Sequence, residues 1–294
     1  MPSWQGKSKG TTLGYSIFVS IIKKFGVRAS YVLLRVVAFY YFLVSYKSSK
    51  PIFVFLHRKL KYNVLVSLYK LYKNYYLLGQ TLIDKIAIMS GAAEKYSFDF
   101  DGDENLRIIT QLKKGGLLLS AHIGNWDIAG HLLKRLNTRI NIVMFDGEHE
   151  KIKEYLNTVT GKSSANIIVI KNDLSHIYEI AEAFKNNELV CMHADRFIEG
   201  NKTITTSFLN EQAKFPLGPF LLASKFKVPV SFVFAMKEKA LHYHFFASDV
   251  KDYSPYEKEE FISQMLNDFA KEMENKVNIY PEQWFNYYNF WQKN

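Results

Sequence analysis

Acidic residues are missing from the first 83 positions: Asp84 is the first, and thirteen Lys and Arg precede it. The net charge of +10 is therefore wholly N-terminal, and the remainder of the chain is slightly acidic. Cysteine is nearly missing as well. A single Cys191 excludes a disulfide framework, a multi-cysteine zinc site and a four-thiolate iron–sulfur centre, and it fits a reducing compartment. Glycine (15) and proline (7) are too few for collagen or a low-complexity linker. The 48% hydrophobic content, which includes 16% aromatic, excludes extended disorder. With 294 residues and no internal repeat, the chain suits one large α/β domain or two small ones around a buried core.

The N-terminal cations alternate with apolar and aromatic runs, GYSIFVSIIKKFG at 14–26 and ASYVLLRVVAFYYFLVSY at 29–46. That mixture suits an anionic bilayer surface, where each nearby Lys or Arg is worth about 1 kcal/mol. Nucleic acid would also accept lysines and rings, but no helix-turn-helix, zinc-finger or RNA-recognition signature accompanies them. As a helix, 29–46 extends roughly 27 Å, slightly less than a hydrocarbon core of about 30 Å. Arg35 in its middle would cost at least ~2.5 kcal/mol in a spanning helix. An interfacial helix, a true span and a buried soluble helix all remain open. A cleaved signal peptide is disfavoured, because the apolar run starts late and no small-residue cleavage pattern follows. We divide the chain into a basic, aromatic, helical membrane-association segment at 1–83 and an α/β domain at 84–294.

Beyond Asp84 strand and helix signals alternate. Gly115-Gly116 opens a strand that ends near His122, and NWDIAGHLLKRL reads as the helix after it. Ile140–Phe145 reads as a strand, 147–159 as a helix, Asn166–Lys171 as a strand, and a helix follows with Asp173 as N-cap. Glu188–Asp195 returns to strand. A polar loop precedes a short helix in GPFLLASKFK; two strands follow in VPVSFVFAM and ALHYHFFAS, and a last helix runs from about Tyr256 to Val277. The order predicts an α/β fold with a mostly parallel central sheet flanked by helices.

In such sheets chemistry gathers where strands end and loops lead into helices. His122 stands there, in Ser-Ala-His-Ile-Gly-Asn-Trp-Asp, with Asp127 five residues on in the first turn of the next helix. An Asp at that position is favoured by the helix dipole. Gly124 allows the tight turn, and Asn125 is a candidate N-cap. A carboxylate on one imidazole nitrogen leaves the other to take a proton from a hydroxyl or amine. A helix-capping Asp beside a satisfied, partly buried His accounts for the same residues. Of the remaining polar residues, His242 and His244 alternate on a strand without an acidic partner at ligand spacing, so a solvated face is favoured over a metal pair. His131, His149 and His176 read as surface residues. Thr160–Ser163 resembles half of a phosphate loop, but Leu156 replaces the required glycine.

Four ordered blocks, SAHIGNWDIAG at 120–130, HADR at 193–196, KFPLGPFLLA at 214–223 with Pro229 after it, and YPEQWFNYYNFW at 280–291, resemble the lysophospholipid acyltransferase superfamily. Within it they resemble the lipid A biosynthesis late acyltransferases and phosphatidylinositol mannoside acyltransferases. The resemblance implies transfer of a fatty acyl group from an acyl carrier protein or coenzyme A thioester to a hydroxyl or amine of a lipid acceptor. It implies His122 as base and Asp127 as its orienter, with Asn125, Trp126, Asp195, Arg196, Gly218 and Pro219 in the substrate-binding region. Arg196 would stabilise developing charge, or would be a surface cation paired with Asp195 or Glu199. The Pro216–Pro219 block would shape a loop. No metal or other cofactor is implied, nor a nucleic-acid partner, and the expected location is the cytoplasmic face of the bacterial inner membrane, peripheral or single-pass.

Departures from the family pattern bear on the acceptor. SFLN at 207–210 and Lys227 lack expected glycines, and acids in 143–151 replace an Arg-Pro. The acceptor thus stays open among a lipid A-like or other lysolipid, an aminoacyl lipid and a phenolic pigment. A thioester or ester hydrolase and a non-catalytic peripheral membrane protein are the readings from other classes. The aromatic C-terminus reads as interfacial belt, acyl-channel lining or core packing.

Overall fold

The computed structural model describes residues 11–128, 136, 138–145, 166–171, 173–197 and 200–291. The chain opens on helices α1 (Thr12–Phe25), α2 (Val27–Val44), α3 (Tyr46–Val54) and α4 (Val64–Ala87). Thr11 caps α1 by accepting from Gly14 N–H, and Asn63 caps α4 by accepting from Val66 N–H. Each satisfies a donor that the first helical turn leaves unpaired. Helices α2 and α4 pack closely because Gly79 has no side chain: a Cβ there would lie 2.3 Å from a Leu34 methyl.

Beyond α4 the chain forms β1 (Ser97–Asp101), α5 (Asp103–Gln111), β2 (Gly116–Ser120), β3 (Ile140–Met144), β4 (Asn166–Val169), α6 (Ser175–Lys185) and β5 (Leu189–His193). The hairpin β6 (Thr203–Phe208) and β7 (Glu211–Pro216) follows, then α7 (Leu217–Phe226), β8 (Val230–Lys239), β9 (His242–Ala247) and α8 (Lys258–Ile279). Among the described residues the main sheet has seven strands in the order β1-β9-β8-β2-β5-β3-β4. From β8 through β4 all neighbours are parallel; β9 runs antiparallel to β8, and β1 parallel to β9. The protein is thus an α/β fold with a mostly parallel central sheet flanked by helices. Every residue of β2 is buried, as a strand covered on both faces requires.

Strand β1, helix α5 and the β6–β7 hairpin are absent from the sequence reading. In β1 the alternation of Phe with Asp resembles a polar loop, and only its pairing with β9 makes it a strand. The helix expected from Asp173 begins at Ser175, and the Asp173 carboxylate accepts from Ser175 N–H at 3.0 Å. The two missing glycines fall on left-handed backbone, with Lys227 at φ 49° and Leu209 and Asn210 at φ 51° and 63°. These conformations explain why glycine suits both places. The helix expected at 147–159, most of the one after Asn125, His131, His149, Thr160–Ser163 and Glu199 lie outside the described residues.

One core joins the two ends of the chain. Ile52, Phe55, Leu56 and Leu71 pack with strand residues Leu117, Leu119, Val190 and Phe232 and with Phe269 of α8. The division placed at 83/84 lies inside α4, whose residues on both sides of it are buried. At the C-terminus Trp284, Phe285 and Phe290 are buried, and Trp284 makes edge contacts with Phe55, Phe208 and Phe290. This aromatic block is core packing. Asn74 of α4 donates to Glu282 O and Trp284 O, and Gln283 exchanges two hydrogen bonds with the Lys237 backbone.

Candidate active site

Strand β2 delivers His122 just past its last residue, and the loop is held from three sides. Phe285 N–H donates to His122 O at 2.9 Å, Gly124 N–H to Gln283 O at 2.9 Å, and Asn125 N–H to Ala235 O at 2.7 Å. Gly124 has φ 69°, and a Cβ on it would lie 2.1 Å from Ala235 O, so no other residue fits without moving β8.

The parallel pairing of β2 with β5 aligns Ser120 with His193 and brings Asp195 beside His122. Asp195 Oδ1 is 2.7 Å from His122 Nδ1, and Oδ2 accepts from His122 N–H at 3.0 Å. One carboxylate thereby fixes the ring and its backbone. Tyr288 donates to Asp195 O at 2.9 Å. Asp127, the expected orienter, points its Oδ1 to Lys85 Nζ at 2.9 Å and acts on the imidazole only through its charge. The helix after His122-Ile-Gly-Asn begins at Trp126, so Asp127 is its second residue, and its carboxylate meets Lys85 of α4 instead.

Burial, and then the neighbouring Arg196 charge, pull the His122 pKa down, against the carboxylates that raise it. Burial and Arg196 thus favour the neutral imidazole, the form able to accept a proton, while Asp195 favours the charged one. Burial alone would raise the Asp195 carboxyl, but the charge and hydrogen bond of His122, with Arg196 behind them, hold it well below the carboxylate range. Arg196 Nη2 donates to Phe285 O, which ties the strand end to the aromatic block. Trp126 stands with its ring centroid 5.0 Å from that of His122. The Asn125 amide nitrogen donates to Thr81 O (3.2 Å) and Tyr243 Oη (3.1 Å), so it ties the loop to α4 and β9.

Gly218 and Pro219 form the first turn of α7, where a proline's missing N–H is tolerated, and Gly218 is exposed. No hydrogen bond or ring contact among the described residues joins them to His122. Cys191 lies on β5, where burial pushes its thiol up to about 12 and leaves it inert. His242 and His244 do have acidic neighbours, supplied by β1 and β8: Asp99 at 3.4 Å, Asp101 at 3.2 Å, and Glu238 at 3.7 and 3.2 Å. The sequence hides Asp99 and Asp101 because β1 does not read as a strand, and Glu238 because it lies beyond the apolar part of β8. Among the described residues no His, Cys, Asp or Glu group is arranged to hold a metal ion.

The family model for bacterial lipid A biosynthesis acyltransferases matches residues 71–293, and the chain belongs to that family. It is an acyltransferase of lipid biosynthesis that acts on a lipid acceptor. Among solved structures, the crystal structure of the 1-acyl-sn-glycerophosphate (LPA) acyltransferase PlsC from Thermotoga maritima is similar over 85% of this chain and 97% of that one. Its identity is 14% and its TM-score 0.40. No curated protein matches the chain.

Proposed function

We propose that the protein moves a fatty acyl group from an acyl carrier protein or coenzyme A thioester to a hydroxyl or amine of a lipid acceptor, with His122 as general base. The observation that carries this reading is the 2.7 Å contact of His122 Nδ1 with Asp195. It makes Nε2 the nitrogen that takes the acceptor proton, and the carboxylate stabilises the imidazolium that results. The acceptor oxygen or nitrogen bonds to the thioester carbon, the carbon–sulfur bond breaks, and His122 returns the proton to the leaving thiolate. The thioester is already activated, so this step balances without a metal or redox cofactor. Arg196 contributes positive charge to a site where the carbonyl oxygen becomes negative. Both donor carriers are anionic, and the basic N-terminal region attracts either.

Comparative lipid mass spectrometry of cells carrying wild-type protein or His122→Ala tests this. The mutant is expected to accumulate a lipid lighter by one acyl chain, and that lipid's headgroup identifies the acceptor. An unchanged lipidome with stable mutant protein would speak for a pigment-like acceptor or for a non-catalytic protein.

The N-terminal helices support peripheral attachment to the cytoplasmic face of the inner membrane. On α2 the residues Val27, Ser30, Tyr31, Leu34 and Ala38 are buried against the protein, while Val32, Val36, Phe39 and Leu43 form an exposed stripe on the opposite side. Leu65 and Tyr69 of α4 and Leu13 and Ile17 of α1 add exposed apolar surface. The helix Val27–Val44 is long and apolar enough to cross a bilayer. With one face spent on α4 and Arg35 exposed, it reads better as an interfacial helix. Changing Val36, Phe39 and Leu43 together to Ser is expected to weaken binding to anionic vesicles at least tenfold, because each buried apolar side chain is worth about 1.5–3 kcal/mol. Sedimentation with vesicles measures this, and unchanged binding would rule out the stripe as the contact face.

A further inference from the structure

We propose that His193 is a second catalytic imidazole, one that donates its N–H to the acyl carbonyl oxygen as negative charge gathers on it. The inference rests on the acyl-transfer reading above and adds a residue to its machinery. His193 is the last residue of β5, opposite Ser120 in the register with β2. Its ring centroid is 4.4 Å from that of His122 and 5.1 Å from that of Trp126, so the three rings close a triangle at the strand ends.

Within this triangle His193 differs from its neighbour in one respect. His122 occupies both oxygens of Asp195, whereas no described residue hydrogen-bonds to the His193 ring. His193 is half-buried at the strand ends, and an imidazole that has no hydrogen-bond partner among the described residues can hydrogen-bond a substrate bound beside His122. Burial, and then the His122 charge, hold the His193 pKa well below the ordinary imidazole range; Arg196 adds to this and Asp195 opposes it. The ring is therefore neutral at physiological pH and carries one N–H donor.

Asp195 thus sorts the two imidazoles into roles. His122, with the carboxylate on Nδ1, can become an imidazolium and serves as base. His193, without a carboxylate bonded to it, keeps its proton and serves as hydrogen-bond donor, as neutral imidazoles do opposite polarised carbonyls. An acceptor atom about 3 Å from His122 Nε2 brings the thioester carbon, and the oxygen on it, alongside the His193 ring. In the step, the acceptor proton goes to His122, the new carbon–oxygen or carbon–nitrogen bond forms, and the oxyanion takes the His193 hydrogen bond. The carbon–sulfur bond then breaks, and the thiolate receives its proton from His122.

The test is thiol release by the purified full chain from long-chain acyl-coenzyme A and, separately, from long-chain acyl carrier protein, with vesicles of the host's total membrane lipid as acceptor. Phe at 193 keeps the ring contacts and removes the donor, while Gln keeps an N–H. His193→Phe is expected to lower kcat at least 100-fold with the donor KM within threefold, the loss that follows removal of one oxyanion donor. His193→Gln is expected to retain kcat within about tenfold of wild type, and both variants to melt with the wild-type protein. If His193→Phe lowers the melting temperature, His193→Leu replaces it under the same criteria. Activity of the donor-free variant within threefold of wild type overturns the proposal, while a dead His122→Ala beside it leaves the base reading standing. Equal loss in the folded Phe and Gln variants overturns the donor role. No thiol release by wild-type protein from either thioester overturns both readings.

Discussion

His122→Ala is expected to lower acyl transfer by 10²- to 10⁴-fold, the contribution of a positioned general base. Asp195→Asn is expected to cost nearly as much, because an amide at 2.7 Å from Nδ1 favours the wrong tautomer and cannot stabilise the imidazolium. Asp127→Asn is expected to cost less than about tenfold, since its carboxylate bonds Lys85 and reaches His122 only as a distant charge. Steady-state rates of the three variants, each checked for fold by circular dichroism, decide the order. Severe loss in Asp127→Asn with mild loss in Asp195→Asn would return the orienting role to Asp127.

The pH dependence of kcat/KM carries the same information. If His122 is the base it acts unprotonated, and because burial lowers its pKa the rate is expected to hold through neutral pH and to fall only below the ordinary imidazole range. Asp195→Asn removes a charge that raises that pKa. The acid limb of its weaker profile therefore moves to still lower pH.

Asp84→Ala is expected to destabilise the fold by about 3–5 kcal/mol, because it strands a charge in the interior. Asp84 is fully buried, with Lys237 Nζ at 2.6 Å from its Oδ2. Its carboxylate also accepts from Tyr31, Tyr96 and Tyr243, and Lys237 donates to Tyr31 Oη and Ala240 O. This one network joins α2, α4, β8 and β9. Through Tyr243 and Asn125 it reaches the loop that carries His122. A drop in melting temperature on the order of 10 °C is expected. Adding Lys237→Met should recover much of it, since an apolar residue of similar length leaves no buried ammonium. A single variant that melts within about 1 °C of wild type would show that the pair contributes nothing net.

Much of this architecture was legible in one dimension. Strands β2, β5 and β8 read as short apolar runs because a strand buried on both faces is apolar throughout, and α6 and α8 because their apolar residues recur at helical spacing. His122 stood out because it follows a strand where the chain turns into a helix, and because the block around it resembles an acyltransferase motif. The β6–β7 hairpin did not, since four of the six residues of β6 are Thr or Ser, and its turn lacks the usual glycine.

The sequence by itself determined the α/β class, the basic apolar N-terminus and the place of His122 just past the end of a strand, because each depends on neighbours within one element. Only the tertiary structure decided which carboxylate hydrogen-bonds the His122 ring. Asp127 is five residues away and Asp195 seventy-three, yet the parallel register of β2 with β5 places Asp195 on Nδ1, while Asp127, second in the helix that starts at Trp126, meets Lys85. The partners of Asp84 and the ring contact of His193 with His122 likewise join distant segments. Such pairings are set by packing in three dimensions, and no local spacing encodes them.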